Sequence, residues 1–240
     1  MRKGKNIFTL CILLVVIPMV VILGAFVFRE KHYLWISLCV AVLSFVPMLY
    51  AFEHRENTSR ELMVLSVMVA LSVMGRFVFA WVPGFKPVTA ITIIAGIYLG
   101  KESGFLIGAL TAVVSNFYFG QGPWTPFQML AWGLIGLCAG LLHKSLEKRK
   151  VLLCIFGFFA GVFYSLSMDV WTTLWLDGTF NFTRYLASVV SALPITAEYA
   201  LSNIIFLLLL SKPIAQKLTR IKTKYGLFIP KQKSQTSSVE

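Results

Sequence analysis

Charge is scarce in this sequence, and acidic charge most of all. Ten aspartates and glutamates stand against 22 lysines and arginines, and charged residues make up only 13% of 240 positions. A soluble domain carries roughly 25%, so a water-exposed globular surface is excluded. Phosphate-gripping chemistry is missing too: no GxxxxGK[ST] occurs, and no polar stretch is long enough for an ATPase or other catalytic domain. Metal-ligand spacing is absent. The histidines His32, His54 and His143 fall in separate loops, and no HExxH is present. Cys11, Cys39, Cys138 and Cys154 lack CxxC spacing and all lie in apolar runs, where they read as small buried apolar residues. No GxSxG elbow occurs, and no Ser/His or paired-Asp set lies within the apolar runs, so an enzyme is not expected and neither is a cofactor. The basic excess is not accompanied by a basic face interleaved with aromatics, which sets nucleic acid aside as a partner.

What the chain does have is apolar length. Hydrophobic residues reach 58%, with a mean hydropathy of +0.78, which marks an all-α integral membrane protein. Measured against the ~20 residues that a spanning helix needs, eight transmembrane helices are predicted: Ile7–Phe28, Tyr33–Phe52, Leu62–Val82, Val88–Gly100, Gly104–Phe119, Phe127–Leu142, Val151–Met168 and Val189–Ser211. The first follows a basic start like that of a signal peptide. It is too long for such a segment and has no convincing small-residue cleavage site, so it is expected to remain a helix. Val88–Gly100 is short for a full span.

Loop charge sets the expected orientation. With the N-terminus inside, seventeen basic residues fall in inner segments, and only Arg29, Lys31, Lys86 and Arg184 fall outside. This asymmetry predicts a cell-membrane protein with both termini cytoplasmic. The basic stretch from Lys212 onward is expected to lie on anionic lipid and become disordered toward its Ser/Gln-rich end. Small residues four apart (Ser66/Ala70, Gly96/Gly100, Gly104/Gly108, Gly136/Gly140, Gly157/Gly161) predict helices packed closely within the bundle.

Two segments, GRFVFAWVPGFKPVTA and AGIYLGKESGFLIGALTAVVSNFYFGQGPWTPFQMLAWGLIGLCAGLL, carry a family likeness. Their order resembles the substrate-binding S components of energy-coupling factor (ECF) vitamin transporters, over roughly Leu62 to Ser211, with GQGPWTPFQM the most specific part. The resemblance implies a six-helix core at 58–211, an extra helix pair at 1–57 that departs from the usual pattern, and a basic tail at 212–240. It also implies a subunit without its own ATPase site that takes a vitamin from outside and docks on a transmembrane T subunit carrying two ATPases. The docking face of such proteins lies on the first core helix. Its matching positions here are Ser66, Ala70 and Met74, the last being larger than the pattern prefers.

Topology and chemistry together suggest a site near the outer surface. Polar or charged groups in hydrocarbon cost several kcal/mol unless satisfied, and Arg76, Asn116, Gln121 and Gln128 cluster around predicted span ends. Lys86, Trp124, Trp132, Asp169, Trp171, Glu198 and Asn203 complete the candidate binding set. Glu198 is a possible ion-pair partner of Arg76, and the tryptophans also fit an interfacial belt. A lining of aromatics, amides, one cation and one anion suits a neutral or zwitterionic ring compound. Cobalamin or a corrinoid precursor is the first expectation, by resemblance alone, with queuosine-like bases and thiamin-like rings open. The alternative is a self-sufficient secondary transporter, which calls for an inverted repeat around a midplane ion site. No clear repeat is present.

Overall fold

Proline and glycine punctuation cuts the apolar sequence into helices. In the computed structural model, which describes residues 59–122, 124–178 and 180–228, they are α1 (Ser59–Val78), α2 (Val88–Leu99), α3 (Lys101–Phe119), α4 (Thr125–Leu141), α5 (His143–Lys148), α6 (Lys150–Asp177) and α7 (Phe182–Tyr225). No strand occurs among the described residues. The expected helices Ile7–Phe28 and Tyr33–Phe52, with Cys11 and Cys39, lie outside them, as does the end of the basic tail.

α2 forms the centre. All of its residues except Tyr98 are buried, as expected of a helix that is apolar all round. Its 12 residues rise about 18 Å, short of the ~30 Å hydrocarbon thickness. The segment expected at Val88–Gly100 is thus an uninterrupted short helix enclosed by its neighbours. α1, α6 and α7 are each long and apolar enough to cross a membrane.

Glycine lets the inner helices touch. A Cβ on Gly104 would lie 2.6 Å from the Gly96 Cα and the Gly136 carbonyl, and one on Gly108 would meet the Trp132 backbone. Gly133 receives the Phe105 ring, and Gly140 faces the Lys101 backbone. The packing role expected of Gly96, Gly104, Gly108, Gly136 and Gly140 is therefore observed, and Gly133 adds to it. Gly100 differs: its φ of 102° belongs to a region that suits glycine, and it turns the chain from α2 directly into α3.

α6 and α7 pack along their length. Gly161 admits the Ala200 backbone, and Asn203 donates from Nδ2 to the Gly157 carbonyl at 3.0 Å. Both helices outrun the apolar windows Val151–Met168 and Val189–Ser211. α6 continues to Asp177, which pairs with Arg184 at 3.0 Å. α7 starts at Phe182, capped by the Asn181 side chain, and passes through Pro194 and Pro213 to Tyr225. Polar surface residues end a hydropathy window, but they do not end a helix that is supported along one face.

The two ends of the bundle differ in chemistry. At one end, Glu61 accepts a hydrogen bond from the Phe228 N–H, and Lys222 Nζ donates to the Tyr98 carbonyl at 2.6 Å. Lys101 at the start of α3, Lys144 and Lys148 on α5, Arg149 between α5 and α6, and Lys150 at the start of α6 gather at this same end. The opposite end holds the C-terminus of α1, the loop 79–87 and the starts of α2 and α4.

Candidate functional site

Arg76 lies in the last turn of α1 with its side chain buried, a favourable place for a cation because helix carbonyls leave negative potential there. Its Nη1 donates to the Ser115 hydroxyl and to Asn116 Oδ1 at 2.7 Å. Asn116 passes the polarity onward: Nδ2 donates to Gln128 Oε1 at 2.8 Å and to the Thr125 hydroxyl at 2.8 Å. Gln128 Nε2 then donates to the Tyr164 hydroxyl at 3.1 Å. Every donor in this chain points away from Arg76, so both amides have a fixed orientation. The Tyr164 oxygen accepts at its end, and its hydroxyl in turn hydrogen-bonds that of Tyr199.

Arg76, Gln128 and Tyr164 face a cavity of about 360 Å³ including its mouth, lined as well by Lys86, Val88, Thr89, Trp132 and Tyr199. Trp132 and Tyr164 stack with ring centres 5.0 Å apart and planes 5° from parallel, and Tyr199 meets Tyr164 edge-on. Trp132 is buried, and its Nε1 has no hydrogen-bond partner among the described residues. The Arg76 guanidinium lies 4.5 Å from the centre of the Phe119 ring and 5.4 Å from that of Trp132.

Lys86 arrives on the loop 79–87, which is latched to α7. Ser202 Oγ accepts from the Lys86 N–H at 2.9 Å and donates to the Lys86 carbonyl at 3.1 Å. Glu198 accepts from the Gly84 N–H at 3.0 Å, and Phe79 and Phe85 pack on Phe206. Gly84 is needed here, since a Cβ would lie 2.5 Å from that of Glu198. The Lys86 ammonium reaches within 5.8 Å of the Phe119 ring centre, on which Arg76 also sits. Burial first, and the Arg76 charge second, hold its pKa below the ordinary lysine range.

The expected site residues divide into groups. Arg76, Lys86, Gln128 and Trp132 line the cavity together, and Asn116 stands directly behind it. Gln121 is exposed and braces the turn before α4, donating to the Val113 carbonyl and accepting from Thr125. Trp124 and Trp171 join Phe127 in a separate aromatic group. Asp169 is buried with Oδ2 lacking a partner among the described residues, but it is not on the cavity wall. Asn203 staples α6 to α7. Glu198 is exposed and is not paired with Arg76: its neighbour Tyr199 turns inward, and successive helical residues diverge by about 100°, which carries Glu198 out. Among the described residues the lining therefore holds two cations and no acid, unlike the one-cation, one-anion lining expected. Tyr164, Tyr199 and Thr89 were not anticipated. Their signal is a polar atom recurring within otherwise apolar helical runs.

Ser66, Ala70 and Met74 are exposed on α1, four residues apart and hence on one face.

No curated protein and no solved structure matches the chain. A family model does, described as ECF-type riboflavin transporter, S component, and it covers residues 56–220. That span begins just before α1, ends within α7 and contains every cavity-lining residue; this multi-pass membrane protein belongs to the S-component family of ECF-type riboflavin transporters.

Proposed function

We propose that the chain binds a planar conjugated vitamin, riboflavin by the name its family carries, and delivers it through an ATP-driven module made of a T subunit and two ATPases. The observation that carries this reading is the near-parallel Trp132–Tyr164 pair lining the same cavity as the hydrogen-bond donors of Arg76 and Lys86. A fused heteroaromatic ring extends such a stack, and its carbonyl and imine acceptors meet those donors.

Charge supports the direction of uptake. The bundle end opposite the cavity carries Lys101, Lys144, Lys148, Arg149 and Lys150, so the positive-inside tendency turns the cavity outward. Ser66, Ala70 and Met74 supply the exposed face of α1 for docking.

The test is binding to the purified full-length chain in detergent, read for riboflavin by fluorescence quenching and for cobalamin and thiamin by calorimetry. Riboflavin is expected to bind at micromolar concentration or below. Folded protein that ignores riboflavin, or that takes cobalamin instead, rejects the flavin reading. In proteoliposomes, uptake is expected to require the T subunit, the ATPases and ATP; accumulation by the chain alone favours a secondary transporter.

A further inference from the structure

We propose that Asp169 receives the hydroxyl groups of a neutral polyol arm on the solute, whose ring lies in the cavity while the arm runs outward along α6. This rests on the reading of the cavity as a flavin site and adds the residue that selects the side chain.

α6 is apolar along most of its length, but Ser165, Asp169, Thr172 and Thr173 recur at i, i+4, i+7 and i+8 and so share one face. Ser165 sets that face against α7, through a 2.6 Å bond between its hydroxyl and that of Thr196. Thr196 stands one helical turn from Tyr199, so the stripe adjoins the side of α7 that lines the cavity. Thr172 and Thr173 spend their hydroxyls on the Met168 and Asp169 carbonyls, at 3.1 and 2.9 Å. Of this stripe, Asp169 is the member that keeps a buried oxygen, Oδ2, without a partner among the described residues. A buried acceptor left unpaired is costly, and a carboxylate oxygen takes hydroxyl donors in short, strong bonds.

Its position suits an arm rather than a ring. Tyr164, on the cavity wall, precedes Asp169 by five residues, about 7.5 Å of helix rise, and the helix runs on from there to Asp177, away from the lysine-bearing end. Asp169 is within electrostatic reach of Tyr199 at the cavity and of Tyr185 nearer the start of α7. Polarity is therefore ordered along the site: the donors of Arg76 and Lys86 at the cavity, an acceptor farther out. A solute with ring carbonyls at one end and hydroxyls at the other matches that order without any net charge. A cationic solute would bring its charge against Arg76 and Lys86.

The test compares riboflavin with lumiflavin, which has the same ring and a methyl group in place of the polyol arm, by calorimetry on the full-length chain in detergent. The wild type is expected to bind riboflavin about tenfold tighter or more. Asp169→Leu and Asp169→Ala are expected to cut that ratio to about two or less while leaving lumiflavin affinity unchanged, and either suffices if the other does not fold. Asp169→Asn, which keeps an acceptor, should retain part of the preference. A merely structural role would weaken both ligands alike. That outcome, equal wild-type affinities, or an undiminished ratio in the folded variants overturns the proposal and leaves the flavin reading in place. Folded wild type that binds neither flavin rejects the flavin reading and this proposal with it. Binding of cationic thiamin that is lost in Asp169→Asn also overturns it, because the carboxylate then serves a cation.

Discussion

Replacing Gly136 by alanine adds one methyl group at the point where α2, α3 and α4 meet. The new Cβ would fall well inside van der Waals distance of the Gly104 carbonyl and 2.9 Å from Thr92 Cγ2. The obstructing atoms are mainly backbone, so no rotamer change relieves the clash. α3 and α4 must separate by on the order of 1 Å to restore ordinary contact. Overpacking of this kind costs about 1–3 kcal/mol, and for a chain of this size that lowers the unfolding midpoint by on the order of 5 °C. Trp132 lies one helical turn before Gly136, so ligand affinity is expected to fall with stability. Gly157→Ala is the matched comparison: its Cβ meets chiefly the flexible tip of Leu207, with its other neighbours at 3.7 Å. Thermal unfolding of both variants in detergent decides the matter. Equal midpoints for the two variants would refute the claim that backbone contact at the three-helix junction sets the packing.

Asn116→Leu removes one of the two acceptors of Arg76 and the donor to Gln128 and Thr125. A loss of about 3 kcal/mol in stability and at least tenfold in ligand affinity is expected by thermal unfolding and calorimetry, and an unchanged affinity contradicts the relay to Tyr164. Gly84→Val pushes against Glu198 and loosens the loop 79–87, so ligand dissociation measured by stopped flow should accelerate several-fold; an unchanged rate shows that the latch does not retain ligand. Ala70→Trp should leave binding intact while abolishing uptake by the complete transporter, and normal uptake places docking elsewhere. Arg184→Ala breaks an exposed pair with Asp177 and should shift stability by less than about 1 kcal/mol; a larger fall assigns that pair a structural weight its exposure does not suggest.

The six apolar runs from Leu62 to Ser211 correspond to α1–α4, α6 and α7 because hydropathy reports burial in lipid and in protein alike. The limits of α6 and α7 were less legible. Arg184 and the lysines after Ser211 look like loop chemistry, although a helix can carry charge on a solvent-facing side. Arg76, Asn116 and Gln128 stood out because polar groups in apolar surroundings need partners. Tyr164 and Tyr199 did not, since tyrosine serves equally as core filler and as interfacial anchor. Glu198 illustrates what composition cannot supply. Its depth in an apolar run said that it needed a partner, but only the rotation of α7, set by Gly161 against Ala200, determined that the partner is a loop amide and that the inward position belongs to Tyr199.

α7 runs from the cavity to the opposite end of the bundle without a break. It is one helix of 44 residues, bearing Tyr199 at the cavity and Lys222 at the opposite end, with a proline articulation at Pro194 just ahead of the cavity. From Pro194 to the second proline, Pro213, the helix runs about 28 Å, so a tilt of about 5° at the first joint shifts the second by about 2.5 Å. A solute pressing on Tyr199 would act five residues from the first joint, on the same helix that carries Lys222 at its far end.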